Sequence, residues 1–342
     1  MKVGLIGLGK MGILHAAILN TLEDVQLVSI AEKESVLSKQ LKTVMPSIKI
    51  YQNFEEMLNS EDLDLVHITT PVSSHLPMTL SCIEKGVNFF VEKPLTRNLE
   101  EAKKICQALK KSNIIHSVGY NVRFIETFSK VKSLLDKKIL GNITSVNSTM
   151  YVSNVFSKPS GWRFKKKISG GGVILELGCH LIDLLLWYFG PIINVSGKTR
   201  SVYSEVEDFA NAEFEFENGL HGEFDTSWSK EGYSIPEINL EIIGSNGKLR
   251  VSQDFIEIKL NEPVSPIEKT EVKIYKQELE KGVSFDVSGP DYTKEDINVV
   301  QSVKEKKAPL VDVFEASRTQ SVIQAIYDSA ANNSKVKVEY LV

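Results

Sequence analysis

The first twenty residues constrain the fold of this chain more than any other stretch. A short apolar strand over residues 3–6 is followed by glycines in the order G-x-G-x-x-G and then by a helical pattern. Gly7 permits a tight turn, Gly9 lets a pyrophosphate approach the backbone, and Gly12 lets the helix pack closely on the strand. Because a helix N-terminus offers unpaired N–H groups and the positive end of its dipole, this stretch predicts an anion-binding strand–turn–helix unit.

An acidic residue downstream makes a dinucleotide site the best interpretation of this turn. Glu32 lies twenty residues after Gly12, at the end of a second apolar strand over 25–31. A lone glycine turn is a weak signal, but a strand, a helix and an acid at this spacing are typical of a dinucleotide-binding unit. The Glu32 carboxylate is expected to bind the ribose hydroxyls and to repel a 2′-phosphate, which favours NAD over NADP. Lys33 offsets part of that repulsion and leaves NADP possible.

The composition excludes several classes of protein. The length of 342 residues suggests two domains, and a hydrophobic content of 42% is enough for packed cores. Since the net charge is −4 and acids are interspersed with bases, we expect no nucleic-acid partner. The longest strictly apolar run, 184–189, is too short to span a bilayer, so we expect no membrane partner. Three cysteines without metal-ligand spacing indicate free thiols, no metal and a cytoplasmic location.

Strands and helices alternate through residues 1–121, which predicts a doubly wound α/β Rossmann domain. The pattern includes a helix near 34–44. The strands are apolar runs, as expected when helices cover both faces of a parallel sheet. Ligands of such sheets bind beyond the carboxyl ends of the strands. The candidate residues are therefore those that follow each strand, namely Gly7–Gly12, Glu32, Thr70, Pro71, Glu92, Lys93, Pro94, Tyr120 and Asn121.

The pattern changes after residue 121 and predicts an α+β domain over 122–342 with a large, mostly antiparallel open sheet. Apolar residues alternate with polar ones along 209–217, so one face of that strand is expected to be buried. Asn218-Gly219 is a strong signal for a two-residue hairpin to the next strand. Two helices near 294–304 and 317–331 close the chain, and we expect the second at the domain interface.

Lys93 is a candidate acid or base. It ends a strand at the mouth of the expected crevice, and Pro94 disfavours the helical region for it and so holds it extended. A lysine partly desolvated beside a positively charged nicotinamide ring should have a lowered pKa and could exchange protons near neutral pH. The alternative is an exposed lysine that precedes a helix-initiating proline, and the tripeptide Glu92-Lys93-Pro94 taken alone favours that alternative.

A second candidate site lies on a helix that follows the run Gly170-Gly171-Gly172. Spacings of four and three place Glu176, His180 and Asp183 on one face of that helix, which is otherwise apolar and therefore expected to be buried. Buried polar groups need partners, so three of them on one stripe suggest a site. A core histidine satisfied by its neighbouring carboxylates is an alternative. A metal site is less favoured, because three ligands within two turns of one helix cannot easily surround an ion.

The other histidines give weaker signals. His75 follows Thr70-Pro71, and a capping or loop contact is as plausible for it as contact with the cofactor. No local pattern supports a role for the remaining four, which are His15, His67, His116 and His221.

Several short motifs occur in an order that is specific as a set, although each is weak alone. They are Gly7–Gly12, Thr70-Pro71 followed by His75, Glu92-Lys93-Pro94, Gly119-Tyr120-Asn121 with Arg123, Trp162-Arg163, and the glycine run followed by Glu176, His180 and Asp183. In this order and spacing they resemble the Gfo/Idh/MocA oxidoreductase family. The resemblance runs in recognisable motifs from Met1 to about Tyr203 and continues as a general pattern of strands and a closing helix.

The resemblance implies NAD(P)-dependent hydride transfer between nicotinamide and a hydroxyl or carbonyl carbon of a sugar, cyclitol or sugar nucleotide. It implies that Lys93 is an acid/base or substrate-positioning group and that His180 is a catalytic acid/base. Many members have Asp four residues before that histidine. This chain has Glu176 there, a third catalytic candidate whose longer side chain moves the charge. The resemblance also implies that the second domain binds substrate and forms a homodimer or homotetramer through its open sheet.

The residues that the pattern and the resemblance together assign form two overlapping sets. The expected cofactor-binding set is Gly7, Leu8, Gly9, Lys10, Met11, Gly12, Glu32, Thr70, Pro71, His75, Glu92, Lys93, Asn121, Trp162 and Arg163. The expected substrate-binding set is Lys93, Arg123, Arg163, Glu176 and His180.

Two other functions remain open at this point. One is an NAD-dependent glycoside hydrolase, in which the cofactor is oxidised and restored within each cycle. The other is a non-catalytic regulator that binds NAD and a sugar. Such a regulator would be free to lose Lys93 or His180, so the presence of both favours an enzyme.

Overall fold

The computed structural model describes residues 1–34 and 46–341, which form two compact units. The first unit contains Met1–Asn121 and Gly282–Ser317, and the second contains Val122–Lys281 and Arg318–Leu341. The helix predicted near 34–44 falls, apart from its first residue, outside the described residues.

The first unit is built on a parallel sheet with six strands in the described residues. The strands are β1 Lys2–Ile6, β2 Gln26–Ala31, β3 Lys49–Tyr51, β4 Leu65–Ile68, β5 Asn88–Glu92 and β6 His116–Gly119. Their order is β3-β2-β1-β4-β5-β6, and every pair is parallel. The helices are α1 Lys10–Leu19, α2 Phe54–Ser60, α3 His75–Lys85, α4 Leu99–Leu109 and, downstream, Pro290–Glu305, here named the returning helix. This order of strands is that of a Rossmann domain, as predicted.

The returning helix makes the first unit differ from the predicted division at residue 121. It packs against α1. Its Val299 and Val300 join Val3, Leu65 and Phe90 in one buried apolar cluster. Because apolar parallel strands need cover on both faces, this cluster explains why the chain returns to a sheet it left at residue 121.

The second unit is built on a sheet with nine strands in the described residues. They are β7 Ile143–Tyr151, β8 Ile192–Arg200, β9 Phe209–Phe216, β10 His221–Ser227, β11 Glu237–Gly244, β12 Gly247–Ser252, β13 Phe255–Leu260, β14 Glu271–Tyr275 and β15 Val336–Lys337. Their order is β14-β13-β12-β11-β7-β10-β9-β8-β15. Only the described pair β7–β10 is parallel, so the prediction of a mostly antiparallel sheet is confirmed.

One face of this sheet is buried. Along β9, Ala210, Ala212 and Phe214 are buried and alternate with more exposed polar residues, as the pattern predicts. The predicted hairpin to β10 is present, and Gly219 adopts the left-handed φ of +82° that its turn requires. The helices of this unit are α5 Glu126–Asp136, α6 Cys179–Phe189, short turns at Lys166–Ser169 and Lys276–Leu279, and most of Val313–Asn332, here named the closing helix.

The stretch that leads into α6 is the most apolar long segment of the described residues. Lys166–Phe189 is long and apolar enough to cross a bilayer by length and composition, and 78% of its apolar window is buried inside the protein. That burial accounts for its composition, because a core helix carries apolar residues on every side.

Candidate active site

The first unit offers a backbone cradle at Gly7–Gly12. Gly7 has a φ of +91°, a left-handed conformation that favours glycine. A Cβ at Gly12 would lie 2.0 Å from the Gly7 carbonyl oxygen, so only glycine lets α1 begin this close to β1. A Cβ at Gly9 would meet no heavy atom within 4 Å, which leaves open space where the pyrophosphate is expected. The turn therefore fits a dinucleotide.

Glu32 lies directly beside this turn. Its Oε2 accepts a hydrogen bond from the Leu8 N–H at 2.6 Å, and its Oε1 accepts one from the Glu34 N–H at 2.9 Å. A carboxylate held at the edge of the glycine turn is where a ribose-binding acid belongs in this fold. The ribose contact itself stays a prediction.

His75 joins two loops at the carboxyl edge of the parallel sheet. Its Nδ1 lies 3.0 Å from the Pro94 carbonyl oxygen, and its Nε2 lies 2.9 Å from the Thr70 carbonyl oxygen. The side chain is buried, and burial lowers its pKa against the effect of the carbonyl oxygens that surround it. Of the two roles left open for His75, the structure shows the loop contact. His75 thereby braces the loop after β4 against the loop that contains Lys93.

Glu92, the last residue of β5, ties Lys93 to a buried polar network. Its Oε2 accepts a hydrogen bond from the Lys93 N–H at 3.0 Å. Its Oε1 lies 3.1 Å from Nε2 of His15 on α1. The other nitrogen of that ring, Nδ1, lies 2.9 and 3.0 Å from the two carboxylate oxygens of Asp296 on the returning helix. His67 on β4 points its Nε2 at Asp296 Oδ1, 3.1 Å away.

The sequence did not predict this network. His15 and His67 are both buried, and each has a signal in its pattern: one lies on the buried face of α1 and the other within a strand of apolar neighbours. A buried histidine needs a partner, but Asp296 is 281 residues from His15 along the chain. Together the three residues offer ligand atoms that could hold a metal ion, but these atoms already contact one another at hydrogen-bond distance.

Asn121 follows β6 as predicted and is also bound to the returning helix. Its Nδ2 donates a hydrogen bond to Oδ2 of Asp291 at 2.6 Å, and both residues are buried. The predicted contact of Asn121 with nicotinamide stays a prediction. The returning helix thus reaches two of the strand ends at which candidate residues lie.

In the second unit, the candidate helix begins with a π-helical turn, Ile174–Gly178, which was not predicted. Glu176 lies in that turn, and its Oε1 pairs with Nε of Arg163 at 3.2 Å. The Arg163 guanidinium lies 5.4 Å from the centre of the Trp162 ring. His180 follows in the first turn of α6 and is 7% exposed. π-Turns occur often at functional sites, and the site expected on this helix stays a prediction.

Asp183, the third polar residue of the predicted stripe, has a different partner. Its two carboxylate oxygens accept hydrogen bonds from Nε and Nη2 of Arg123, both at 2.7 Å, and the pair is buried. The Arg123 guanidinium also lies 5.2 Å from the centre of the Trp187 ring. This pairing accounts for the burial of Arg123, and its predicted contact with substrate stays a prediction.

Glu207, which sequence reasoning missed, holds the start of the candidate helix. Its carboxylate accepts hydrogen bonds from the N–H groups of Gly172, at 2.9 Å, and Ile174, at 3.1 Å. The Tyr327 hydroxyl on the closing helix donates to the same carboxylate at 2.9 Å. Burial raises the pKa of Glu207, opposed by these donors.

This cap explains the glycine run. A Cβ at Gly171 would lie 2.0 Å from the Tyr327 hydroxyl, and a Cβ at Gly172 would lie 2.2 Å from the Glu207 carbonyl oxygen. A carboxylate at a helix N-terminus is favoured by the unpaired amides and by the helix dipole. The glycines therefore let a remote acid cap the helix that carries Glu176 and His180.

The class of protein is a Rossmann-fold oxidoreductase, as defined by the glycine turn, the order of the parallel strands and the second sheet. Comparison with protein families identifies the family. Residues 1–120 match the model described as "Oxidoreductase family, NAD-binding Rossmann fold", and residues 128–250 match the "GFO/IDH/MocA C-terminal domain". The chain belongs to the Gfo/Idh/MocA oxidoreductase family.

Several curated relatives are named dehydrogenases. The chain is 31% identical to "Oxidoreductase P35" of Formosa agariphila, over 52% of this chain and 56% of that protein. It is 30% identical to the scyllo-inositol 2-dehydrogenase (NADP(+)) of Bacillus subtilis, over 56% of this chain and 52% of that protein. The match therefore spans about half the length of these two relatives. The scyllo-inositol 2-dehydrogenase (NAD(+)) of the same organism is 26% identical over 99% of this chain and 96% of its own length.

Solved structures share the whole fold. Levoglucosan dehydrogenase in complex with NADH and L-sorbose has a TM-score of 0.88 with 22% identity, over 99% of each chain. GenD2 from gentamicin A biosynthesis, in complex with NAD, has a TM-score of 0.81 with 24% identity, over 99% of this chain and 96% of the other. At these identities the likeness shows the fold.

Proposed function

We propose that this protein is an NAD(P)-dependent dehydrogenase or reductase. It transfers hydride between nicotinamide and a hydroxyl or carbonyl carbon of a sugar, cyclitol or sugar nucleotide. The observation that carries the proposal is the cradle at Gly7–Gly12, which is open at Gly9 and flanked by Glu32, in a unit whose strand β5 leads directly into Lys93. A nucleotide cradle and an amine at the same carboxyl edge of one parallel sheet are what hydride transfer with proton exchange requires.

The bound cofactor accepts or donates the hydride, and the protein supplies placement and proton transfer. In our proposal, Lys93 or His180 removes the hydroxyl proton as the hydride leaves carbon. Glu176 orients the group that does so, with Arg163 and Trp162 beside it. Arg163 is paired with Glu176, so its charge is compensated, which suits an uncharged polyol better than an acid.

The substrate class rests on the relatives. Proteins similar to this chain are named myo-inositol 2-dehydrogenase in Thermotoga maritima and levoglucosan dehydrogenase in Pseudarthrobacter phenanthrenivorans. Their named substrates are a cyclitol and an anhydrosugar, both neutral and rich in hydroxyls. We infer a substrate of the same chemistry.

We infer NAD as the preferred cofactor because Glu32 would face the 2′-phosphate of NADP with a negative charge. NADP remains possible, since one relative is named as NADP-dependent. Titration of the protein with NADH and NADPH in parallel measures this preference directly.

We also propose a homodimer or homotetramer formed through the open face of the nine-stranded sheet, and a cytoplasmic location. The three cysteines support the location, since all are buried and none forms a disulfide, as in a reducing compartment. Light scattering of the purified protein tests the assembly.

The experiment that tests the function is a spectrophotometric screen for NADH. The wild-type protein is incubated with NAD⁺ and inositols, hexoses, anhydrosugars or sugar nucleotides. We expect net NADH with at least one polyol. Lys93→Met should abolish this turnover and keep NADH binding, while Lys103→Met, an exposed lysine of α4, should leave turnover unchanged.

The outcomes separate the candidate functions. Sugar release with bound cofactor and no net NADH would indicate a glycoside hydrolase. Cofactor and sugar binding without turnover would indicate a regulator. Unchanged turnover in Lys93→Met would contradict the assigned role of Lys93.

A further inference from the structure

Beneath the strand end that carries Lys93 lies a buried array of charged groups that the proposed reaction does not use. Here the buried array means Glu92, His15 and Asp296. His67 contacts this array at Asp296. Their side chains come from β5, α1, the returning helix and β4. Exposed fractions are 0% for His15, His67 and Asp296 and 7% for Glu92.

The geometry indicates the charge of His15. One of its ring nitrogens faces a Glu92 oxygen and the other faces both Asp296 oxygens, and carboxylates only accept hydrogen bonds. An imidazolium, which carries a proton on each nitrogen, is the form that donates to both carboxylates, so the geometry favours that form. Burial opposes this, but Asp296 and Glu92 raise the pKa of His15 well above its ordinary value.

Among the described groups that face this ring, none other than His15 supplies a positive charge to offset the two carboxylates. His67 is neutral, because burial lowers its pKa, and its Nε2 donates to Asp296. Tyr292 on the returning helix packs its ring 6.3 Å from that of His15. Glu295 is 2% exposed, neither of its carboxylate oxygens has a hydrogen-bond partner among the described residues, and burial raises its pKa well above the ordinary value, which favours its neutral form.

A buried array of this kind is a poor device for stability alone. Taking three charges out of water is costly, and well-packed apolar residues in such places are often as stable or more so. The array ends on Glu92, whose second oxygen accepts the N–H of Lys93. Because both oxygens of Glu92 are bound, its carboxylate is held in place. The backbone of Lys93, which donates its N–H to that carboxylate, is held with it.

We propose that the buried array positions Lys93, so that His15 and Asp296 are positioning residues that act through Glu92. The inference rests on the proposed function, since it assigns these residues to the proton-transferring group of that reaction. The returning helix then does more than cover the sheet. Its Asp296 orients the His15 ring, and that ring orients Glu92. His15 lies three residues after Gly12, the last glycine of the cofactor turn, so the same helix carries both.

The test compares Asp296→Asn with wild type by hydrogen exchange and NMR. Asp296→Asn keeps a balanced Glu92–His15 pair, so the fold should survive. We expect the amide of Lys93 to exchange at least tenfold faster, while peptides from β2 in the same unit keep their protection. A purely structural role would instead raise exchange throughout the unit. The ¹⁵N shifts of His15 should report two protonated nitrogens at neutral pH in wild type.

A second variant pair shows whether the two residues act together. His15→Gln leaves two buried carboxylates without a cation and should lower the protection of Lys93 more than any other single change within the buried array. The double variant His15→Gln/Asp296→Asn replaces two of the three charged groups with amides that can reproduce the hydrogen bonds, and Glu92 is kept. It should recover part of the protection of Lys93. His67→Gln, neutral for neutral, should leave that protection within about twofold.

The results are separable from the proposed function. NADH affinity should stay within about threefold in Asp296→Asn, and once the screen supplies a substrate, kcat should fall at least tenfold with little change in KM for NAD⁺. Unchanged exchange of the Lys93 amide in Asp296→Asn, or a singly protonated His15 in wild type, would overturn the inference. If the wild type bound no NADH, the proposed function would be overturned. The exchange of the Lys93 amide could still be measured and would still test the positioning by His15 and Asp296.

Discussion

The two units hold their proposed acid–base groups by different chemistry. In the first unit, Lys93 follows a carboxylate that contacts the His15 ring, and a second carboxylate, Asp296, holds that ring from the other side. In the second, the helix of His180 begins at backbone amides capped by the buried carboxylate of Glu207. One region relies on compensating side-chain charges, and the other relies on a single acid with neutral donors.

The difference teaches where each region is vulnerable. The net charge of such an array changes when one member changes protonation or is replaced, and the remaining buried charges are affected together. A carboxylate that accepts N–H and O–H groups loses hydrogen bonds one at a time. We therefore expect the first region to respond to pH above 6.5 and the second to respond mainly to the loss of Glu207 itself.

The largest effect on stability should come from Glu207→Ala. It leaves the buried N–H groups of Gly172 and Ile174 and the Tyr327 hydroxyl without their acceptor. At about 1–3 kcal/mol for each unsatisfied group, the free energy of unfolding should fall by about 3 kcal/mol or more. Urea unfolding measures this. Glu205→Ala, at an exposed acid two residues earlier, should change it by less than about 0.5 kcal/mol.

A pH series should separate the regions. The folded-state pKa of His15 is raised above 6.5, so its contribution is full below pH 6.5 and is lost as pH rises through the folded value. The slope should not exceed about 1.4 kcal/mol per pH unit. The buried histidines whose pKa is lowered act below pH 6.5 and do not add to this decline. Glu295, whose pKa is raised, contributes in the same direction as His15 and is present in both proteins compared. In Asp296→Asn the decline above pH 6.5 should flatten, as measured by urea unfolding.

The contribution of Glu207 to stability also declines as pH rises, beginning at a lower pH than that of His15. Its folded-state pKa is raised above 4.5, so its contribution is full below pH 4.5 and declines as pH rises through the folded value. The difference between wild type and Glu207→Gln should therefore vary with pH from 4.5 upward and be constant above the folded value. If that difference varied between pH 6.5 and pH 8 instead, the contrast between the two regions would fail.

The smallest effect should come from Tyr327→Phe. It removes one of the donors to Glu207 and leaves the backbone amides bound to it. We expect a loss of about 1 kcal/mol in the free energy of unfolding. Ser329→Ala on the same helix removes a comparable buried hydroxyl that donates elsewhere, and serves as the matched control. A loss as large as that of Glu207→Ala would mean that the hydroxyl, not the acid, holds the helix.

The sequence predicted what is local and missed what is distant. The turn at Gly7–Gly12 and the hairpin at Asn218-Gly219 are encoded by adjacent residues, and both are present. Asp296 and Glu207 are acids in unremarkable helix and strand-end contexts, and their partners lie far away along the chain. No spacing rule connects them to His15 or to the glycine run.

The same limit explains the two differences in architecture. The return of residues 282–317 to the first unit depends on apolar contacts of Val299 and Val300, which any buried helix would show. The π-turn at Ile174–Gly178 breaks the uniform helical spacing that was used to place Glu176, His180 and Asp183 on one face. Periodicity alone carries no information about either.

The central claim is that a hydride passes between a polyol carbon and nicotinamide under the control of Lys93, and isotope transfer tests it most directly. The wild type, Lys93→Met and Lys103→Met are each incubated with NAD⁺ and carbon-deuterated myo-inositol or levoglucosan, and the cofactor is analysed by mass spectrometry. The account predicts deuterium in the NADH formed by the wild type and Lys103→Met and none with Lys93→Met. Equal transfer by Lys93→Met, or no transfer to NAD⁺ that the wild type demonstrably binds, would contradict it.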